Sequence, residues 1–168
     1  MESFLCDTLI GRIQLHAAVY RHAHDQQTRT WVTFDGKEVF SAADLGYHLE
    51  HEKRYQMLRE EQQLKPLTPS LNWKELWQSS ERVTLHNASE QISQQLLLEG
   101  ILDSFIVQQA WLAYPQLSIE EARISENPFI RALSYFDRRT GKRILQKMKM
   151  PIHPIEQQFY KIRLQAEK

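Results

Sequence analysis

The Asp35-Gly36 pair constrains the fold of this chain more than any other short stretch. Both central residues of a two-residue hairpin turn adopt positive φ, which Asp-Gly favours when it lies between two strand-like runs. Thr30–Phe34 before the pair is β-branched and aromatic, and Lys37–Phe40 after it supplies the partner strand. The sequence therefore predicts an antiparallel β-hairpin centred on this pair.

A further strand is predicted just before this hairpin. Over Arg12–Arg21, apolar and polar side chains alternate with the period of two that is typical of a half-buried strand. With a two-residue turn, Val32 is expected to face Val39 across the hairpin. Trp31 is expected to face Phe40. Together the three runs predict a three-stranded antiparallel meander.

The rest of the chain has mainly the periodicity of helices, so the predicted fold class is α+β. Glu2–Ile10 is predicted to form a short N-terminal helix that ends at Gly11. The connections between strands are short, which excludes a parallel βαβ unit. We expect a single domain in which a mainly helical body packs on one sheet face. Its parts are the helix plus sheet (1–40), the helical body (41–150) and a C-terminal amphipathic helix or tail (151–168).

Three stretches predict where helices begin. Ser41-Ala42-Ala43-Asp44 resembles a capping box and predicts a helix start at Ser41. Ser118–Glu121 is a complete capping box. Asn127 before Pro128 is typical of an N-cap followed by the first helical residue.

The charge of the chain is balanced in total and asymmetric along its length. Its 168 residues include 21 Lys and Arg and 21 Asp and Glu. Residues 1–130 hold 11 basic and 18 acidic residues, a net charge of −7. Residues 131–168 hold 10 basic and 3 acidic residues, a net charge of +7. Such asymmetry indicates an anionic partner or mutual neutralisation of the two parts.

Composition excludes several classes of protein. With Cys6 as the single cysteine, no intrachain disulfide can form, and a reducing compartment is favoured. The longest apolar run, Leu96–Val107, is interrupted by Glu99 and Asp103 and is too short for a membrane span. Met1–Ile10 lacks the basic start of a signal peptide. We therefore expect a cytoplasmic protein without membrane contact.

Common cofactor motifs are absent from the sequence. Gly141-Lys142-Arg143 lacks both the earlier glycine and the Ser or Thr of a phosphate-binding loop. Five glycines in the whole chain exclude a glycine-rich dinucleotide fingerprint. CxxC, HExxH and GxSxG are missing as well. No cofactor is expected.

Two blocks of sequence resemble a known family. The first reads ESFLCDTLIGRIQLH (Glu2–His16) and continues as YRHAHDQQTRTWVTFDGKEVF (Tyr20–Phe40), and the second reads NPFIRALSYFDRRTGKRIL (Asn127–Leu145). Together they resemble a family of small uncharacterised intracellular proteins of Bacillus-like Gram-positive bacteria. The resemblance implies a bacterial intracellular protein, and it implies that a short basic amphipathic segment can precede the first block. It implies no mechanism.

Polar residues of one parity run along the first predicted strand and beyond it: Arg12, His16, Tyr20, His22 and His24. If the chain stays extended, these side chains project from one sheet face, and Arg29 opens the next strand nearby. His16 and His24 are then a candidate acid and base for metal-independent RNA cleavage or phosphotransfer. Arg12 or Arg29 is the candidate electrophile. The alternative is a solvated polar sheet face.

A weaker pattern concerns metal binding. His48, His51 and Glu52 lie at i, i+3 and i+4 of a predicted helix, which places them on one face. Zinc usually takes three or four ligands that further residues hold in place. The alternative is an ordinary polar helix face, and no metal site is predicted.

The basic C-terminal part contains the candidate binding residues: Arg131, Arg138, Arg139, Lys142, Arg143 and Lys147. If one helix continues through Gly141, they form a broad basic face that suits phosphates. The alternative is neutralisation within the chain, for which Asp137 beside Arg138 has the character of a buried carboxylate paired with arginine.

Three functional hypotheses follow. The first is a non-enzymatic binding or regulatory module whose basic face meets a nucleic acid or an acidic protein. The second is a small nuclease or phosphotransfer enzyme that uses the His16 face. The third is a structural interaction protein that uses its helices, where Trp73 and Trp77 are expected to pack in a core or an interface.

Overall fold

A computed structural model of the chain describes residues 3–22, 28–67 and 72–168. The strands are β1 (Ile13–Val19), β2 (Thr28–Phe34) and β3 (Lys37–Ala43). The helices are α1 (Asp44–Glu61), α2 (Trp73–Gln78), α3 (Ser80–Glu99), α4 (Ser104–Ala113), α5 (Ile119–Ile124), α6 (Pro128–Phe136), α7 (Lys142–Lys147) and α8 (Pro154–Ala166), and a 3₁₀ turn spans Tyr114–Gln116. This confirms the α+β class.

The sheet is the predicted antiparallel meander in the order β1-β2-β3. Asp35 and Gly36 both have positive φ, at 51° and 74°, as the hairpin turn requires. The predicted register is wrong beyond Glu38. Val39 is an extra residue at a β-bulge, so Val32 faces Phe40 instead. Phe40 thereby turns toward the core, where it is 7% exposed.

The N-terminal segment is not the predicted helix. Described residues 3–12 form successive turns and one isolated bridge, in which Leu5 pairs with Asp137. Cys6 N donates to Phe136 O at 2.9 Å, and Arg138 N donates to Phe4 O at 2.9 Å. Backbone groups that a helix would satisfy internally are satisfied here by a distant part of the chain, because the apolar side chains of this segment enter the core.

The helix starts were predicted with mixed success. Ser118 and Glu121 form both hydrogen bonds of the capping box, and Asn127 Oδ1 accepts from the N–H groups of Phe129 and Ile130. The predicted start at Ser41 is wrong, because β3 continues through Ala43 after the bulge. Asp44 is instead the first residue of α1.

The main core lies between the sheet and helices α4, α6 and α8. Its centre is aromatic: Phe136 stacks on Phe159 with ring centroids 4.5 Å apart, and Phe129 packs against Phe159 at 5.7 Å. Phe40 brings the sheet to this cluster, at 5.2 Å from Phe129. We call residues 3–22, 28–43 and 101–168 the body.

Helices α1, α2 and α3 form a second region, which we call the outer unit (residues 44–99). Neither α1 nor α2 contains a buried residue, and α3 buries only Ala88, Ile92 and Leu96. None of these three belongs to the main core cluster. The outer unit therefore has little core of its own.

Within the described residues, no single helix is both long and apolar enough to cross a membrane. In the same described part of the chain, one pair of consecutive helical segments, Ser80–Glu99 and Ser104–Gln116, reaches that length and composition together, with a bend of 62° between them.

Candidate functional site

The arginines of the predicted catalytic face are both held in ion pairs. Arg12 donates to the two carboxylate oxygens of Asp35 at 2.8 and 2.7 Å. Arg29 donates through Nη2 to Glu38 at 2.7 and 2.5 Å. The Arg29–Glu38 pair joins β2 and β3. The Arg12–Asp35 pair joins the residue before β1 to the hairpin turn, so both guanidinium groups serve first as contacts within the sheet region.

In the described part of the chain, His16 and His22 of that face do not form a common site. His16 Nε2 lies 2.9 Å from Thr33 Oγ1, and its ring stacks on Trp31 at 5.1 Å. β1 ends at Val19, so Tyr20 leaves the sheet and is 50% exposed. His22 lies in a turn, and His24 lies outside the described residues.

His48, His51 and Glu52, the weak candidate metal ligands, are joined by no further ligand among the described residues. Among the residues that the structure describes, no group of three or more His, Cys, Asp or Glu side chains could hold a metal ion. His51 Nε2 instead contacts Ser89 O at 3.2 Å on α3. Glu52 accepts a hydrogen bond from Gln56, and His48 is exposed.

The basic C-terminal part does not form one continuous helix. α6 ends at Phe136, and α7 begins only after Gly141, so the broad basic face divides into two short helices. Arg131 pairs with Glu156 at 2.8 Å. Lys142 donates to the Glu167 carbonyl at 2.7 Å.

Asp137 is the buried carboxylate of this region, but its partner is Arg139 and not Arg138. Asp137 is fully buried and accepts from Arg139 Nη2 at 2.6 Å and from the Tyr114 hydroxyl at 2.8 Å. Burial alone would raise the pKa of Asp137, but the hydrogen bonds from Arg139 and Tyr114 outweigh it and hold that pKa below its usual value. Burial and the adjacent carboxylate raise the pKa of Tyr114 far above its usual range.

Six cations of residues 131–168 are exposed and have no side-chain hydrogen bond or ion pair with another described residue: Arg138, Arg143, Lys147, Lys149, Lys161 and Lys168. Arg143 and Lys147 are four residues apart on α7 and share one face. The basic part is thus neutralised at Arg131, Arg139 and Lys142, and at Arg163, which pairs with Glu167 at 3.0 Å. The six exposed cations keep their charge.

The outer unit presents a groove between α1 and α3 with a volume of about 360 Å³. Six of the side chains that line it are His51, Tyr55, Leu67, Arg82, Leu85 and His86. The His51 ring stacks on Tyr55 at 6.1 Å, which fixes the α1 wall of the groove. The groove combines apolar, aromatic and polar groups, as binding surfaces do.

Two tryptophans, which were expected to pack in a core or an interface, lie beside this groove and outside the core. Trp73 is 66% exposed and Trp77 is 45% exposed. Their rings contact edge to face at 5.5 Å. The Arg82 guanidinium lies 3.5 Å from the Trp77 ring centroid and also lines the groove, so it connects the two features. The groove and these two indoles together form the candidate site, which we call the Trp surface.

The outer unit, which carries the Trp surface, is held to the body by Asp44. Its Oδ1 accepts from Ser104 N at 3.0 Å and from Ser104 Oγ at 2.6 Å, while Oδ2 accepts from Thr28 N at 2.8 Å. Burial would raise the pKa of Asp44, but these hydrogen bonds outweigh it and lower that pKa. The sequence assigned Asp44 to a capping box, and no local signal could have shown that its partners begin β2 and α4.

A second contact between the outer unit and the body is made by α3. His153 Nε2 lies 2.8 Å from Leu97 O, and a side chain at Gly100 would approach Ile155 at 3.1 Å. Gly100 has a φ of 83° and ends α3, so glycine is required here for both backbone conformation and space.

Comparison with known proteins identifies a family and no individual relative. No curated protein matches the chain, and no solved structure matches it. A model of the SF0329 protein family matches residues 1–164, which is almost the whole sequence. The chain therefore belongs to the SF0329 protein family.

Proposed function

We propose that this chain is a non-enzymatic binding module whose outer unit holds a protein partner on the Trp surface. The observation that carries the proposal is the exposure of Trp73 and Trp77 in a unit where α1 buries no residue. Exposed tryptophan is uncommon, and tryptophan with arginine dominates the binding energy of protein interfaces. Trp73, Trp77 and Arg82 provide that combination.

The charge of the outer unit indicates the chemistry of the partner. Residues 44–99 contain nine acidic and six basic side chains, a net charge of −3. A complementary partner has an apolar pocket that accepts an indole ring and a basic rim around it. The groove beside Trp77 can receive an apolar side chain in return.

The arrangement of the sheet supports a binding module over the nuclease hypothesis. Arg12 and Arg29, the candidate electrophiles, are engaged by Asp35 and Glu38. An electrophile must be free to meet the developing negative charge of the transition state.

The test is site-specific photo-crosslinking of the full chain in its native host. A photoreactive residue at position 73 is expected to capture one protein, and the purified partner is then titrated against the wild type. Trp73→Ala is expected to weaken binding at least about tenfold, as removal of an interface hot spot does. The same substitution is expected to leave the melting temperature nearly unchanged, because surface side chains contribute little to stability.

Phe105 provides the matched control, because it is also an aromatic residue with 66% exposure, but it lies on α4 of the body. Phe105→Ala is expected to leave the affinity unchanged. Capture at position 105 with none at position 73 would contradict the proposal. Equal affinities of the wild type and Trp73→Ala would also contradict it.

A second candidate function rests on the exposed cations of α7. Arg143 and Lys147 share a face and have no acidic partner among the described residues, which supports an anionic partner such as a nucleic acid. Heparin or RNA affinity that falls steeply with salt, and falls further in Arg143→Glu/Lys147→Glu, is the expected result. Salt-independent binding, or unchanged binding by this variant, would exclude it.

We propose a bacterial cytoplasmic setting for the module. The resemblance of Glu2–Phe40 and Asn127–Leu145 to intracellular bacterial proteins supports it, as does the buried, unpaired thiol of Cys6. Fractionation of the native host should recover the chain with cytoplasmic markers, and recovery with membrane or secreted fractions would contradict this.

A further inference from the structure

We infer that the free edge of β1 pairs with β1 of a second copy of this chain, in antiparallel orientation, to give a continuous six-stranded sheet. This surface is separate from the Trp surface and does not depend on the proposed function. The sheet order β1-β2-β3 leaves β1 at an edge, and no other described strand pairs with its outer side.

The backbone of β1 presents unused hydrogen-bonding groups on that side. Asp35 N donates to Arg12 O at 2.9 Å, which identifies Arg12 and every second residue after it as the ones bonded to β2. The N–H and C=O groups of Leu15 and Ala17 therefore point away from β2. Another extended strand can pair with all of these groups at once.

The two edges of the sheet differ in how well they are protected. β3 carries Lys37 and Glu38 and is distorted by the bulge at Val39, and both features discourage pairing with another strand. β1 is regular over Ile13–Val19 and contains no charged residue and no proline. Its edge therefore lacks the features that usually prevent edge-to-edge association.

The charge and apolar character of β1 identify the occupant as a second copy. The segment Ile13–Tyr20 carries no formal charge, so two copies can approach without repulsion. Val19 is 53% exposed on the core side of the sheet, and Leu15 on the same side is partly buried. Pairing would place these side chains of both copies in one continuous apolar layer.

Symmetry sets the register. Antiparallel pairing of two identical strands follows from a two-fold axis, and the contact is closed. Overlap centred on His16 places Leu15 of one copy opposite Ala17 of the other, with His16 of both copies at the axis. The ladder is confined to Leu15 and Ala17, because Ile13 N already donates to Leu9 O and Val19 O already accepts from Arg21 N.

Sedimentation of the full chain at about 100 µM is expected to show a dimer. Ala17→Pro removes an N–H that β2 does not use, so it should leave the monomer folded and abolish the dimer. Val19→Lys is expected to weaken the dimer at least about tenfold. Ile10→Lys is the matched control, because Ile10 is 50% exposed and precedes β1, and it should leave the dimer intact.

Cysteine cross-linking tests the register. Under oxidised glutathione, His16→Cys should form a covalent dimer, because opposite Cβ atoms of such a pair lie about 5 Å apart. Gln14→Cys should not, since Gln14 lies opposite Ala18 of the other copy. A monomeric wild type overturns the inference, as does a dimer that survives both Ala17→Pro and Val19→Lys, or equal cross-linking at positions 14 and 16. Capture of a strand from another protein by a monomeric chain overturns it as well.

Discussion

Helices α6 and α1 show how differently the two regions of this molecule are built. α6 buries seven of its nine residues, whereas α1 buries none of its eighteen. The body is organised around aromatic packing, and the outer unit is organised around polar and ring contacts on its surface. Isolated helices are marginal in water, so α1 depends on its few contacts with α3 and the body.

The contacts of α1 illustrate this dependence. Arg54 donates to Glu50 at 2.7 Å and to Glu99 of α3 at 2.7 Å. These two carboxylates raise the pKa of Arg54 above its usual value. Partly exposed ion pairs contribute little to stability. We therefore expect α1 to add little to the free energy of unfolding, while its side chains stay exposed to solvent. A region of this kind can change its surface to suit a partner without damage to the core.

The largest expected effect is in the aromatic centre of the body. Phe136→Ala removes a fully buried ring that stacks on Phe159, and it should cost about 3 to 5 kcal/mol of the free energy of unfolding. Tyr47→Ala in α1 should cost much less, because Tyr47 is only partly buried. Urea unfolding of both variants measures the difference, and equal losses would contradict the division into body and outer unit.

The next effect concerns the buried carboxylate of the body. Asp137→Asn weakens the hydrogen bonds from Arg139 and Tyr114 and should cost about 2 to 3 kcal/mol at neutral pH. Because the pKa of Asp137 is lowered in the folded protein, its stabilisation is present above the unfolded pKa of about 4 and is lost as pH falls through the folded pKa.

The wild type and Asp137→Asn should therefore converge in stability on acidification, as followed by urea unfolding between neutral and strongly acidic pH. Asp35→Asn is the control, since the Asp35–Arg12 pair is exposed. A stability difference between wild type and Asp137→Asn that stays constant down to the lowest pH would be inconsistent with this origin.

A smaller effect is expected where the two regions meet. Asp44→Ala removes three hydrogen bonds to Ser104 and Thr28 and should cost about 1 to 2 kcal/mol. It should also increase amide exchange in α1 more than in α6. Glu61→Ala, at the exposed end of α1, is the matched control. Unchanged exchange in α1 of Asp44→Ala would show that Asp44 does not hold the two regions together.

Local signals in the sequence predicted those parts of the fold that depend on neighbouring residues. The Asp35-Gly36 hairpin and the cap at Asn127 are of this kind, because their hydrogen bonds join residues close in sequence. The bulge at Val39 was missed, since it depends on which residues the core accepts from β3. The spacing of apolar residues in the N-terminal segment predicted a helix. That prediction failed because the segment forms a bridge to Asp137, a residue too far along the chain for local spacing to show.

The candidate site was harder to predict for the same reason. A pair of tryptophans four residues apart looks alike in a core helix and on a displayed one, and only the tertiary structure distinguishes the two. The partners of Arg12, Arg29 and Asp44 belong to other elements, so the sequence showed their chemistry and not their contacts.

Native-state hydrogen exchange tests the central claim most directly, namely that the outer unit is displayed on an independently stabilised body. The amides of α1 are predicted to exchange through an opening whose free energy is at least about 2 kcal/mol below that of the α6 amides. Equal free energies of opening for α1 and α6, both matching global unfolding, would contradict the claim.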